Sequence, residues 1–289
     1  METFLAVAEE LHFGRAATRL GMAQPPLSRR IQRFERELGA QLFERDRRRV
    51  RLTPAGAALV PRARAILAEA ARAEQVARDT AAGLLGVVRL GFVGTAALSI
   101  LPQLVRDFRS AYPQVGLELS ELTTARQLTA LGNGELDIGL VRAHAPRTEL
   151  ESLTLLTEAL LVAMPASHTL ASLTSIPVAR LRDEPFVLFP RIEGSGLHEQ
   201  ITAHCRAAGF EPRVAQEATT MSTIIGLVAS GIGVSIVPAS VSHIRLPGVA
   251  YRELSASGGD VGLRLVWHHR DMSPATIRFV ELARGHAGP

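Results

Sequence analysis

Between Met1 and Leu52 apolar residues recur at helical spacing and are cut by glycine and proline, so little fits besides three short packed helices and a hairpin. Phe4, Leu5, Val7, Ala8 and Leu11 lie on one helical face. Gly14 breaks the pattern, and Ala16, Ala17 and Leu20 resume it. Gly21 follows the last periodic residue, the usual place for a helix stop. Gln24-Pro25-Pro26 then opens a third helix, because proline is tolerated in a first turn whose N–H groups have no intrahelical partner. Leu27, Ile31, Phe34 and Leu38 predict one buried stripe, which leaves Ser28, Arg29, Gln32, Arg33 and Arg36 facing outward.

Two helices joined by a short glycine-containing turn, the second basic on its outer face, fit a helix-turn-helix. Its second helix would place its first residues in a DNA major groove. Gln24, Ser28 and Arg29 are the candidates for base edges or adjacent phosphates, since Gln pairs with adenine and Arg with guanine. Arg33 lies on the same face. Pro25 and Pro26 would offer an apolar surface to a thymine methyl. A surface helix with solvated arginines is the alternative.

The next segment favours the first reading. After Leu42-Phe43 come Arg45, Arg47, Arg48, Arg49 and Arg51, opposed only by Asp46, with Val50 and Leu52 alternating as in a strand. This predicts a two-stranded wing with Arg47, Arg48, Arg49 and Arg51 near phosphates, and binding that weakens with salt. Met1 to Arg51 hold 11 Arg against 7 acids, whereas the rest of the chain holds 21 of each. The whole formal charge of +4 therefore sits in this head, as expected of a nucleic-acid-binding segment on a neutral body.

With 289 residues the chain can form two or three domains, each with its own core. No apolar run reaches the ~18–20 residues of a membrane span. No leader pattern precedes Phe4. A single cysteine, Cys205, can form neither an internal disulfide nor a thiolate metal site. These features predict a cytoplasmic protein. There is no lysine, which excludes Schiff-base and P-loop lysine chemistry. His198-Glu199 begins like a zinc-protease motif, but Thr202 stands where its second His is needed. His268-His269 would point to opposite faces of a strand. Gly231-Ile232-Gly233 is weak evidence for a nucleotide site. No catalytic residue, metal or cofactor is expected.

Thr53 can cap a helix that takes Pro54 in its first turn. Leu59, Ala63, Ile66, Ala70, Ala73 and Ala77 follow at four-three spacing, a heptad seam that calls for a partner helix. Packing on its own body is the alternative. Pro61 should cost stability or kink the helix, and Gly83 and Gly86 mark its end. Beyond it, strands and helices alternate, which predicts an α/β domain with parallel sheet. Strands are expected at 87–93, 115–122 and 136–141, and a long strand or crossover at 155–164. A second unit is expected from Phe186 to Pro238, with a strand returning at 261–267 and a closing helix at 274–283. The expected divisions are 1–58, 59–84 and 85–289, with one lobe at about 85–158 plus 268–289 and the other at about 159–267.

The residues from Ala16-Ala17 through Ala23-Gln24-Pro25-Pro26-Leu27-Ser28-Arg29, Phe34-Glu35, Leu38-Gly39 and Leu42-Phe43-Glu44-Arg45 to Leu52-Thr53-Pro54-Ala55-Gly56 resemble the N-terminal domain of LysR-type transcriptional regulators. Fewer residues precede Phe4 than is usual there, which suggests a clipped first helix. In the body, Arg89-Leu90-Gly91, Leu136-Asp137-Ile138-Gly139, Val228 to Gly233 and Val237-Pro238 resemble the co-inducer domain of the same family. The resemblance implies a winged helix-turn-helix, a long linker helix and a two-lobed domain similar to type 2 periplasmic binding proteins. It also implies an antiparallel linker-helix dimer, a dimer of dimers on an interrupted inverted repeat of double-stranded promoter DNA, and contact with RNA polymerase. The nearest branch, from the Gln24-Pro25-Pro26, Thr95, Thr124 and Pro238-Ala239-Ser240 positions, is that of aromatic-degradation regulators responding to benzoate- or muconate-like acids.

Carried over by position, Thr95 and Thr124 would be the first contacts of an effector carboxylate, with Arg142 adding positive charge. Pro190 and the residues after it would form the opposite lip, and Thr220, Met221 and Ser222 would add donors. Each threonine could instead be a plain helix cap, and Arg142 could pair with a neighbouring acid. Two rival functions remain at this level: a constitutive repressor whose body only dimerises, and an enzyme or solute binder with a basic appendage.

Overall fold

A computed structural model describes residues 1–46, 49–142, 149–191, 195–255, 260–270 and 272–287, except for the side chains at 45, 46, 49 and 195. The chain divides into two compact units, Met1–Asp79 and Thr80–Pro289.

In the first unit α1 (Glu2–Glu10), α2 (Phe13–Arg19) and α3 (Gln24–Leu38) precede a hairpin of β1 (Phe43–Asp46) and β2 (Arg49–Leu52), and α4 (Pro54–Ala81) follows. The break after α1 falls at Leu11, with φ 46°, and not at Gly14, which lies inside α2. His12 makes the new start, its Nδ1 accepting from the N–H groups of Gly14 and Arg15 at 3.1 and 3.2 Å. Phe4, Phe13 and Phe43 form an aromatic cluster with centroids 5.5 and 5.9 Å apart. The α3 stripe buries Leu27 and Ile31 fully, but Phe34 only partly, and Leu38 is 47% exposed in the last turn. Glu35 ties the hairpin down: Oε1 accepts from the N–H groups of Leu42 and Phe43 at 2.9 and 3.1 Å. Thr53 caps α4 by accepting from Gly56 N–H at 3.0 Å. A Cβ on Gly56 would lie 2.2 Å from the Leu42 carbonyl oxygen, so this close approach needs glycine. The helix continues through Pro61.

The second unit holds two lobes. β3 (Gly86–Phe92), α5 (Leu101–Ala111), β4 (Val115–Glu121), α6 (Thr124–Gly132), β5 (Ile138–Arg142) and β6 (Leu150–Glu158) come first. β7 (Leu160–Pro165), β8 (Ser175–Pro177), β9 (Pro185–Leu188), α7 (Ser195–Ala207), β10 (Arg213–Glu217), α8 (Met221–Ala229), β11 (Ser235–Pro238) and β12 (Val249–Ser255) follow. β13 (Val261–His268) and α9 (Pro274–Arg284) complete the unit.

The first lobe's sheet has the order β4-β3-β5-β13-β6. β3 pairs in parallel with β4 and β5, whereas β13 runs antiparallel to β5 and β6. The second lobe holds the mixed sheet β11-β7-β12-β8 and the parallel pair β9-β10, which touches the strand-11 region through a Phe186–Val234 bridge.

Of the two readings of residues 155–164, the crossover holds and the single long strand does not: Ala159 alone separates β6 in one sheet from β7 in the other. The chain is back in the first lobe by Val261, not 268, because Leu263 and Leu265 fill that lobe's core from β13.

Behind the first sheet, Gln127 of α6 is fully buried and donates from Nε2 to the carbonyls of Leu122 and Leu140 at 2.9 and 3.3 Å. Its carboxamide lies where side chains on Gly91 and Gly139 would otherwise point, at 3.1 and 3.0 Å from their absent Cβ atoms.

Candidate functional site

On α3 the outward face is as the periodicity requires. Gln24, Pro25 and Arg29 are exposed, and Pro26 and Ser28 half-buried. Arg33 is exposed but engaged, its Nε donating to Glu37 Oε1 at 2.8 Å one turn on. Arg51 is exposed on β2. Arg49 contributes its backbone to the same strand, and its side chain, together with Arg47 and Arg48, lies outside the described residues. Most basic side chains described on this surface thus stand in water, where attraction to phosphate is long-ranged and screened by salt.

The second unit contains a cleft of about 550 Å³ between its lobes. Strand ends supply one wall, as is general in sheets whose ligands lie beyond strand C-termini. Thr95 follows β3, Glu121 ends β4, Thr124 opens α6, and Arg142 ends β5. Phe189, Leu197, Thr220 and Met221 face them from the second lobe. Thr95, Thr124, Arg142, Thr220 and Met221 are therefore brought together as the sequence suggested. Pro190 is half-buried beside Phe189 but does not line the cleft; the wall there is Phe189, whose carbonyl meets His198 Nδ1 at 2.8 Å. Residues 192–194 of the expected lip lie outside the described set.

Neither first-lobe threonine is a cap. The α6 cap is Thr123, which accepts from Arg126 N–H at 3.4 Å. Thr124 Oγ1 exchanges hydrogen bonds with the backbone N–H and carbonyl of Arg142, both at 3.3 Å, and so locks the end of β5. Thr95 Oγ1 accepts from Arg142 Nε at 2.9 Å, which leaves its hydroxyl proton to donate elsewhere. Thr220 does cap a helix, accepting from Thr223 N–H at 3.3 Å.

Arg142 is 3% exposed. Burial pulls its pKa below the ordinary arginine value, and Glu158 opposes that shift. Glu158 ends β6 and binds Arg142 Nη2 with Oε1, while its Oε2 accepts from Ser240 N–H at 2.7 Å. One carboxylate thus joins a first-lobe arginine to the turn after β11 in the second lobe. Arg142 Nη1 is buried and has no hydrogen-bond partner among the described residues. Sequence reasoning left open that an acid pairs with Arg142 but did not find Glu158. The available signal was a Glu at the junction of two apolar strands, between Leu155-Leu156 and Leu160-Leu161.

Among the described residues no group of three His, Cys, Asp or Glu could hold a metal, and no helix is long and apolar enough to cross a membrane. Cys205 is buried on α7, and burial pushes its thiol up to about 11.

Comparison with known proteins agrees with this division. Residues 1–57 match the model of the bacterial regulatory helix-turn-helix protein, lysR family, and residues 81–288 match that of the LysR substrate binding domain. The chain is 39% identical over 283 residues to the HTH-type transcriptional regulator AlsR of Bacillus subtilis (strain 168), covering 98% of this chain and 94% of that protein. It is 39% identical over 282 residues to the HTH-type transcriptional regulator XapR of Escherichia coli (strain K12), covering 96% and 94%. Among solved structures, full-length CbnR complexed with its target DNA superposes with a TM-score of 0.86 at 31% identity, covering 99% of this chain and 98% of that one. The chain belongs to the LysR family of DNA-binding transcriptional regulators: a helix-turn-helix domain followed by a two-lobed substrate-binding domain. Its named relatives are transcriptional regulators.

Proposed function

We propose that this regulator reads promoter DNA with Gln24, Pro25, Pro26, Ser28 and Arg29 of α3, anchors on phosphates through Arg33 and the wing arginines, and responds to a small organic acid in the cleft. The observation that carries the effector reading is Arg142 Nη1, a buried donor in the wall of that cleft without an acceptor among the described residues. An unsatisfied buried donor costs about 1–3 kcal/mol, which a ligand oxygen accepting from it would recover. A carboxylate suits this position, because a bond to a charged acceptor is the stronger kind and the free Thr95 hydroxyl proton can join it. Leu122, Phe189, Leu197 and Met221 line the rest with apolar surface, which favours an aromatic or branched acid.

The protein acts as an oligomer in this reading. Ile66 is 50% exposed and Ala70, Ala73 and Ala77 continue its seam along α4, a surface suited to a second copy of the same helix. Acid binding changes the closure of the lobes and so the presentation of the paired heads to DNA and RNA polymerase.

The test is thermal denaturation of the full-length protein against aromatic and aliphatic carboxylates, paired with footprints on its own promoter region. A ligand at ~100 times its dissociation constant adds ~2.7 kcal/mol of stability. A shift that disappears in Thr95→Val, accompanied by a changed footprint, supports the reading. A footprint that forms but no acid alters would replace it with a constitutive regulator.

A further inference from the structure

Three charged first-lobe side chains line the cleft, Glu121, Arg126 and Arg142, and they differ in how they are paired. Arg142 is already neutralised by Glu158. Glu121, the last residue of β4, lines the same cleft with an exposed carboxylate that makes no hydrogen bond or ion pair among the described residues. It is held close to the opposite turn: a Cβ on Gly94 would lie 2.5 Å from Glu121 Oε1. Gly94 immediately precedes Thr95, the residue that meets Arg142 Nε. The carboxylate of Glu121 thus borders the space beside the Thr95–Arg142 pair, in the place that a side chain on residue 94 would contest.

From this juxtaposition we infer that Glu121 is a specificity-determining residue, selecting effectors that carry a hydroxyl or amino donor besides their acid group and turning away those with a second carboxylate. The inference rests on the cleft being the effector site. A monoacid places its carboxylate at Arg142 and Thr95, and a donor elsewhere on it gives Glu121 a charge-assisted hydrogen bond. A diacid would set its second negative charge against Glu121, where like charges repel. Thr123 and Thr124 at this wall carry no charge to offset that repulsion. Arg126 also lines the cleft, is exposed and has an interaction of its own.

The experiment compares full-length wild type with Glu121→Gln, by thermal shift and by titration of intrinsic fluorescence. The probes are matched sets: benzoate with its three monohydroxy derivatives and phthalate, and propionate with lactate, alanine and succinate. Glu121 is exposed and unpartnered among the described residues, so the substitution leaves the fold intact. In wild type at least one hydroxy or amino acid should bind about tenfold or more tightly than its parent, and the diacids more weakly than the parent. Glu121→Gln should erase the donor preference and admit the diacids, with the parent acids changed by less than about threefold, a factor worth under 1 kcal/mol. The same discrimination in both proteins, or no donor preference in wild type, overturns the assignment of Glu121 while leaving the effector cleft standing. If no acid of either set binds wild type, the effector reading fails, and this inference with it.

Discussion

Arg29 and Arg142 bring the same guanidinium into opposite surroundings. Arg29 stands exposed on α3, whereas Arg142 is 3% exposed and held by Thr95 and Glu158. In the head, charge is kept in water and spread over several arginines, so it attracts a polyanion from a distance and needs no single geometry. In the body the charge is cancelled before any ligand arrives, and what remains is one directed N–H. The first arrangement suits a long, uniformly charged partner and the second a small one that must be recognised by shape. In the proposed reading a single chain uses one residue type for two kinds of recognition, separated by burial.

The largest expected effect tests the buried half. Glu158→Gln leaves Arg142 as an uncompensated charge and should destabilise the second unit by about 3–5 kcal/mol in urea unfolding. Replacing both residues by apolar ones, Arg142→Met with Glu158→Leu, should recover most of that loss. A single-variant loss below about 1 kcal/mol would show that water reaches Arg142 and that the contrast with Arg29 is one of degree. Arg29→Ala comes next. It should cost about 1–3 kcal/mol of specific DNA affinity with an unchanged unfolding midpoint; equal affinity for the cognate site would remove α3 from base reading. The smallest effects sharpen the exposed half. Arg51→Ala should lower the slope of log affinity against log salt by about 0.9, as one lost phosphate contact. Arg33→Ala breaks only an exposed pair with Glu37 and should change stability by less than about 0.5 kcal/mol.

How far these halves were legible in the chain follows from how local their determinants are. The head's helices rest on neighbours three and four apart, on Pro25-Pro26 and on Gly21, and the outward positions of Gln24 and Arg29 come directly from that spacing. Leu38 shows the limit, since periodicity assigns a face but not how far the partner element extends along it. In the body, strand positions were readable, yet the sheet each strand joins was not. The alternation of Val261, Leu263 and Leu265 would look the same in either lobe, and only pairing with β5 and β6 decides it. The threonines were found by carrying positions over from the family resemblance, but their chemistry was not. Thr124 spends its hydroxyl on the Arg142 backbone, a contact across 18 positions that no local pattern carries. Glu158 escaped for the same reason.

Gln127 and the two glycines beside it have a consequence of another kind. A methyl group at Gly139 would press on that carboxamide, one at Gly91 would press on it and on Leu136, and a shorter residue at 127 would remove the side-chain donor that the Leu122 carbonyl receives. The three positions are therefore coupled: the effect of a change at one depends on the residues at the other two. A library varying one position at a time would miss the combinations that fit together.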